Sequence, residues 1–194
     1  MPKLYHYFLY LKKENMKSTF TTFFFIFIFL TGKAQLKQPG WLSHTDTARH
    51  FSFSYPQDWT LKLPGTQTRF FVTTQVENDA DDFRENLNCI LKEVPGYKPG
   101  IPTTAAALKE TLKERMNNFM LMDTAYVKWN NVQALRLGYR FTTTENGKEF
   151  PIEIMQQMAV LNGILYTFTY TGKPGSFTKF LPLAKKVIQS VLIY

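Results

Sequence analysis

The sequence predicts an α+β domain built as an antiparallel β-sheet flanked by α-helices on both faces. Three observations predict it. Apolar and polar residues alternate with period two in several runs between Phe51 and Tyr170, as half-buried strands require. Two Asn-Gly pairs, Asn146-Gly147 and Asn162-Gly163, stand between such runs, and both positions of a two-residue hairpin loop need the positive φ that Asn and Gly tolerate. Two stretches switch to helical spacing: Leu108, Leu112, Met116 and Phe119, then Phe177, Phe180, Leu181, Ala184, Val187, Ile188 and Val191.

The elements follow in order. Phe51 to Tyr55 alternates strictly and stops at Pro56. Trp59, Leu61 and Leu63 alternate next, and Phe70, Val72, Thr74 and Val76 form one face of another strand. A charged turn spans Asp79 to Asp82, and Leu87, Cys89 and Leu91 line a further strand. Pro99-Gly100 and Pro102 introduce the first helix, expected to run through Phe119. Ala125, Val127 and Trp129 alternate up to the turn at Asn130-Asn131. Leu135 to Phe141, Phe150 to Met158 and Ile164 to Tyr170 then form a meander. The last helix opens near Ser176, and Pro182 inside it predicts a break in its first turns.

The Asn-Gly corners set a register. A two-residue loop at Asn146-Gly147 places Phe141 opposite Ile152, Tyr139 opposite Ile154 and Leu135 opposite Met158. The other face then pairs Arg140 with Glu153 and Arg136 with Gln157. The second corner brings Tyr166 beside Ala159 and Phe168 beside Gln157, on the arginine face. Both faces carry apolar material, so each needs a cover, and two amphipathic helices are available. Arg136, Arg140, Glu153, Gln157, Tyr166 and Tyr170 share one face; arginines beside aromatics suit an acidic or planar ligand or partner. The plainer alternative is that a helix covers them and Arg140–Glu153 is a simple cross-strand pair.

Residues 1–34 read as an export signal. Lys17 gives a positive start, Phe23 to Leu30 is an unbroken apolar run, and Thr31-Gly32-Lys33-Ala34 closes it with cleavage expected after Ala34. That run is far shorter than the roughly 20 residues a membrane span needs. Met16-Lys17-Ser18 is itself a compact opening, so the signal can begin there. The expected organisation is therefore a signal over 1–34, a flexible lead-in over 35–47 containing Pro39-Gly40, and one domain over 48–194. The expected location is periplasmic or extracellular.

Charge narrows the partners. The full chain carries 23 basic and 15 acidic residues; without the five lysines and one glutamate of residues 1–34, 18 and 14 remain, a net charge of +4. No run of Lys or Arg forms a nucleic-acid footprint, so nucleic acid is not an expected partner. One cysteine excludes an internal disulfide framework.

Candidate chemistry is sparse. Ser43, His44, Asp46 and His50 offer a nucleophile, base and acid, but they lie along the lead-in, without a nucleophile elbow. His44 with His50 or Asp46 is not a recognised ligand spacing. Asp79, Asp81, Asp82 and Glu85 supply oxygens for calcium but lack the glycine and terminal glutamate of an EF-hand loop; a solvated hairpin tip is the default. Cys89 alternates with Leu87 and Leu91 and reads as a small buried hydrophobe. Trp59 reads as a plug at the core edge. No catalytic residue, metal site or cofactor is expected.

Three segments, Phe51-Ser-Phe-Ser-Tyr-Pro-Gln-Asp-Trp59, Phe83-Arg-Glu-Asn-Leu-Asn-Cys-Ile90 and the stretch from Asn162-Gly163 through Phe180-Leu-Pro-Leu to Ser190, resemble the PsbP-like family. The resemblance covers most of residues 48–194. It implies a sheet sandwiched by helices, export across a membrane, and an accessory or assembly role without shared catalytic residues. The expected function is an exported, non-enzymatic module that binds a protein or cell-envelope component. The alternative is a small-ligand binder using the Arg/Tyr face.

Overall fold

Strand formation begins earlier in the chain than expected. The computed structural model describes residues 40–64, 68–78, 81–96, 101–145 and 147–194; the expected export signal, Asp79 and Asn146 lie outside the described residues. Trp41–Asp46 forms strand β1, where a flexible lead-in was expected, and Phe51–Pro56 forms β2. The two pair antiparallel, Trp41 opposite Pro56 and Asp46 opposite Phe51. The correction has a direct cause. All six residues of β2 are buried, so its backbone groups need partners on both sides. Strand β1 supplies one side, and β10, Leu192–Ile193 at the end of the chain, supplies the other. A 3-10 turn at Thr47–Arg49 and His50 at φ 53° reverse the chain between β1 and β2.

This three-stranded sheet is separate from the main one, so the Phe51 strand does not join the meander. The main sheet is built from β3 (Thr60–Lys62), β4 (Thr68–Thr73), β5 (Asn86–Glu93), β6 (Asn117–Trp129), β7 (Val132–Glu145), β8 (Lys148–Leu161) and β9 (Ile164–Gly172). Its spatial order is β3-β4-β5-β9-β8-β7-β6, and every neighbouring pair is antiparallel. The expected registers hold: Phe141 opposes Ile152, Arg140 opposes Glu153, Tyr166 opposes Ala159 and Phe168 opposes Gln157. Asn162 and Gly163 take φ of 52° and 73°, as their hairpin requires. Asn130 and Asn131 make the same kind of corner at 45° and 64°.

Helix α1 spans Ile101–Arg115 and stops short of Phe119. Asn118 adopts φ 53°, which an α-helix cannot contain, and Asn117 already begins β6. Phe119 therefore belongs to a strand, with its ring 5.7 Å from that of Tyr139. Helix α2 spans Ser176–Ser190 and runs through Pro182 without the expected break. Pro182 is exposed, as is Thr178, four residues earlier, so water can satisfy the carbonyl that the proline leaves unpaired.

Strand alternation divides the core. Leu135, Leu137, Tyr139, Ile152 and Ile154 point to one side and pack with Ala105, Leu108 and Leu112 of α1. Ala134, Met155, Ala159, Tyr166, Phe168 and Tyr170 belong to a second cluster with Phe177, Ala184, Val187 and Ile188 of α2. The small sheet joins that second cluster through Phe53, whose ring stacks on Phe70 at 4.0 Å between centroids. The two parts are tied at the C-terminus of α2. The Trp129 indole N–H donates to the Ile188 carbonyl at 2.9 Å, and Asn130 Nδ2 donates to the Val191 carbonyl at 2.9 Å. Ser190 at the end of α2 accepts from the Ser54 N–H at 2.8 Å and donates to the Ser54 carbonyl at 3.1 Å.

Candidate functional site

The register brings Arg136, Arg140, Glu153, Gln157, Tyr166 and Tyr170 to one face, and packing then separates them. Tyr166 and Tyr170 are core residues. The Tyr166 ring lies 5.1 Å from that of Trp129, and the Tyr170 hydroxyl donates to the Phe177 carbonyl of α2 at 3.1 Å. Burial holds both phenols above their usual pKa range; for Tyr170 the nearby charges of Glu85 and Glu153 add to the effect. Gln157 and Glu153 are buried as well. Arg140 Nε donates to Glu153 Oε1 at 3.1 Å, and the ion pair is completed through Nη2; the arginine side chain is 39% exposed and the glutamate 6%. Arg136 approaches Asp123 at 3.6 Å. What remains accessible of the expected face is therefore the outer part of the two arginines.

The other sequence candidates disperse. Successive residues of a strand point to opposite faces, so Ser43 and His44 diverge. Ser43 Oγ shares a hydrogen bond with Ser54 Oγ at 3.1 Å, whereas the His44 ring lies 5.6 Å from that of Phe53. His50 is exposed, with its ring 6.1 Å from that of Tyr194. The acidic loop also splits. Asp81 accepts from the Glu77 and Phe83 N–H groups at 2.9 and 3.2 Å, and Asp82 pairs with Lys173, which holds its carboxyl below the usual range. Glu85 does not lie at a solvated tip. It is buried, accepts from Thr74 Oγ1 at 3.4 Å and from the Ser176 hydroxyl, and so sits at the N-terminus of α2 where the helix dipole favours a carboxylate. Among the described residues no group of three His, Cys, Asp or Glu side chains could hold a metal ion. Cys89 is buried, and burial pushes its thiol far up.

Two surface features were not legible in the sequence. The first is the β6 edge of the main sheet, opposite the β3 edge. Among the described residues, strand β6 has a neighbour on one side only within its sheet. Its pairing with β7 shifts between Asn117 and Met120 and again between Leu121 and Asp123, so two bulges splay the chain there. Met120, Leu121, Met122 and Tyr126 stand in solvent, the two methionines 56% and 50% exposed. Apolar side chains clustered on an open strand edge mark an interaction surface. The signal that could have revealed it is Phe119-Met-Leu-Met122, which breaks alternation and begins with the last residue of the expected helix.

The second is a cleft of about 320 Å³ between β1 and β4, lined by His44, Thr45, Asp46, Thr47, Ala48, Leu63, Thr68 and Arg69. It exists because β1 is a strand and because β4 bulges between Thr68 and Phe70, which sets Arg69 out of the regular alternation.

The element order, the two helices and the antiparallel meander define a PsbP-like α+β fold. Solved structures share it. Cyanobacterial PsbP from Synechocystis superposes with a TM-score of 0.58 at 18% identity, over 85% of this chain and 99% of that one. LpqN of Mycobacterium tuberculosis, described as involved in cell envelope biogenesis, gives 0.54 at 13% identity, over 79% and 91%. The Ran-binding protein Mog1p of Saccharomyces cerevisiae gives 0.55 at 9% identity, over 79% and 95%. No family profile matches the sequence. No curated protein matches it either. No described helix is long and apolar enough to cross a membrane.

Proposed function

We propose that the chain is an exported, non-enzymatic accessory module that binds a protein partner at the cell envelope. In this reading residues 1–34 are removed after Ala34, and α1 and α2 cover opposite faces of the main sheet as a sandwich. The observation that carries it is the open edge of β6 with Met120, Leu121, Met122 and Tyr126 in solvent. An edge of this kind suits an extended segment of a partner, which adds a strand through backbone hydrogen bonds and lays apolar side chains against the exposed ones. Methionines adapt to such a surface because they are unbranched and polarizable. The association of LpqN with cell envelope biogenesis and of Mog1p with a protein partner supports an accessory role.

Two measurements test it. N-terminal sequencing of exported material is expected to begin at Gln35; a retained residue before it overturns the export reading. Affinity capture with the tagged chain, compared with a Leu121→Lys/Tyr126→Lys variant, is expected to retain one envelope protein with the parent only. Equal capture by both, or none by either, overturns the β6 assignment. The alternative of a small acidic ligand at the arginines rests on the exposed part of Arg136 and Arg140. Unchanged ligand capture by an Arg136→Ala/Arg140→Ala variant removes it.

A further inference from the structure

We infer that the cleft between β1 and the bulge of β4 is a binding site for a small polyhydroxylated carboxylate of hexuronate size, with Arg69 as its anion anchor. The inference is independent of the β6 edge. The cavity, about 320 Å³, falls at the small end of the roughly 300–1,000 Å³ typical of ligand sites. Its wall is mixed in a particular way. Arg69 contributes a guanidinium, Thr45, Thr47 and Thr68 contribute hydroxyls, His44 and Asp46 contribute further polar groups, and Ala48 and Leu63 contribute a small apolar side.

Arg69 is the informative residue. Its Nε is buried and finds no hydrogen-bond acceptor among the described residues. A desolvated guanidinium donor without an acceptor is an uncompensated group, and such groups mark sites that something else completes. The guanidinium also lies close enough to Tyr166 and Cys89 for its charge to act on both, against the larger effect of burial. It therefore sits between the cleft and the inner face of the sheet. A carboxylate matches its planar fork with paired hydrogen bonds.

The rest of the lining narrows the class. A bare inorganic anion such as phosphate has no apolar face to set against Ala48 and Leu63, so the mixed wall favours an organic anion. A neutral sugar offers the Arg69 donor only a hydroxyl oxygen, without the charge and paired oxygens of a carboxylate, and a simple carboxylate such as acetate leaves the threonine hydroxyls unused. A sugar acid supplies one carboxylate for Arg69, hydroxyls for the threonines and His44, and a C–H face for Ala48 and Leu63. The same chemistry is offered by a free sugar acid and by the end of an acidic polysaccharide.

Calorimetric and NMR titration of the purified chain with D-glucuronate tests the inference. Saturable binding is expected, with amide shifts at Thr45, Thr47 and Thr68, and with glucose and acetate each weaker by at least about tenfold. Arg69→Gln is expected to lower glucuronate affinity by at least about tenfold, and Arg69→Lys to lower it too, because an ammonium lacks the fork. Thr68→Val, which keeps the side-chain shape, is expected to weaken binding several-fold with the arginine in place. A glucuronate-terminated disaccharide binding more tightly than the free acid assigns the site to a polysaccharide end; the reverse order assigns it to the free acid. Absence of saturable glucuronate binding, or equal affinity in Arg69→Gln and the parent, overturns the site.

Discussion

Arg140 and Glu153 show what a cross-strand pair becomes when one partner is covered. The carboxylate is almost fully buried and the guanidinium is only partly so. Removing the arginine strands a charge in the core, and breaking such a pair costs several kcal/mol when both groups are buried. Because Arg140 is more than one-third exposed, solvent screening reduces that, and Arg140→Ala is expected to cost about 2 kcal/mol in urea unfolding. Adding Glu153→Gln should recover part of the loss; a double variant no better than the single one contradicts the account. Gly172 makes a different demand. A Cβ there would stand 3.0 Å from Phe177 Cα and 3.0 Å from Glu85 Cγ, where α2 starts against the sheet. Backbone cannot give way as a side-chain tip can, so Gly172→Ala is expected to cost about 2 kcal/mol in the same measurement.

At the scale of elements, Pro182 is the clearest local conflict. It removes one helical hydrogen bond within α2, and Pro182→Ala is expected to raise stability by about 1 kcal/mol or more by restoring it. A lower thermal midpoint for that variant would mean that the ring is packed to advantage. The elements also show how far the sequence could be read. The registers of β7, β8 and β9 were legible because two-residue corners leave no slack and a one-residue slip would reverse every side chain. Strand β1 was not legible, because Trp-Leu-Ser-His-Thr-Asp carries little alternation and is a strand only through the needs of β2. The end of α1 was masked by Met116 and Phe119, which continue helical spacing while the Asn117-Asn118 pair turns the backbone out. The candidate face was legible as a shared face but not as a covered one. Its cover includes Phe51, Phe53 and Tyr55 of a second sheet that local patterning does not announce.

The molecule as a whole keeps several phenols out of water. Burial raises Tyr139 from its ordinary 10.0 to about 12, and Tyr166 and Tyr170 shift in the same direction. A group whose folded pKa lies above its unfolded value stabilises the fold fully below the unfolded value and loses that contribution as pH climbs through the folded one. Stability is therefore expected to be level up to about pH 10 and to fall between there and about pH 12, with Tyr139 alone accounting for about 2–3 kcal/mol. Tyrosinate absorbance and circular dichroism followed together check this: ionisation of the buried phenols should coincide with unfolding, and ionisation well before unfolding would contradict it.

The knot of contacts at the C-terminal end of α2 has a consequence for synthesis. Phe177, Ala184, Val187 and Ile188 complete the larger cluster, and β10 closes the second side of β2, yet all of them follow in sequence the strands they cover and so leave the ribosome after them. Until residues 176–194 emerge, the nascent chain holds Phe53, Phe70 and Phe168 without their covering helix. Such a chain exposes apolar surface that a holding chaperone can shield until those residues follow.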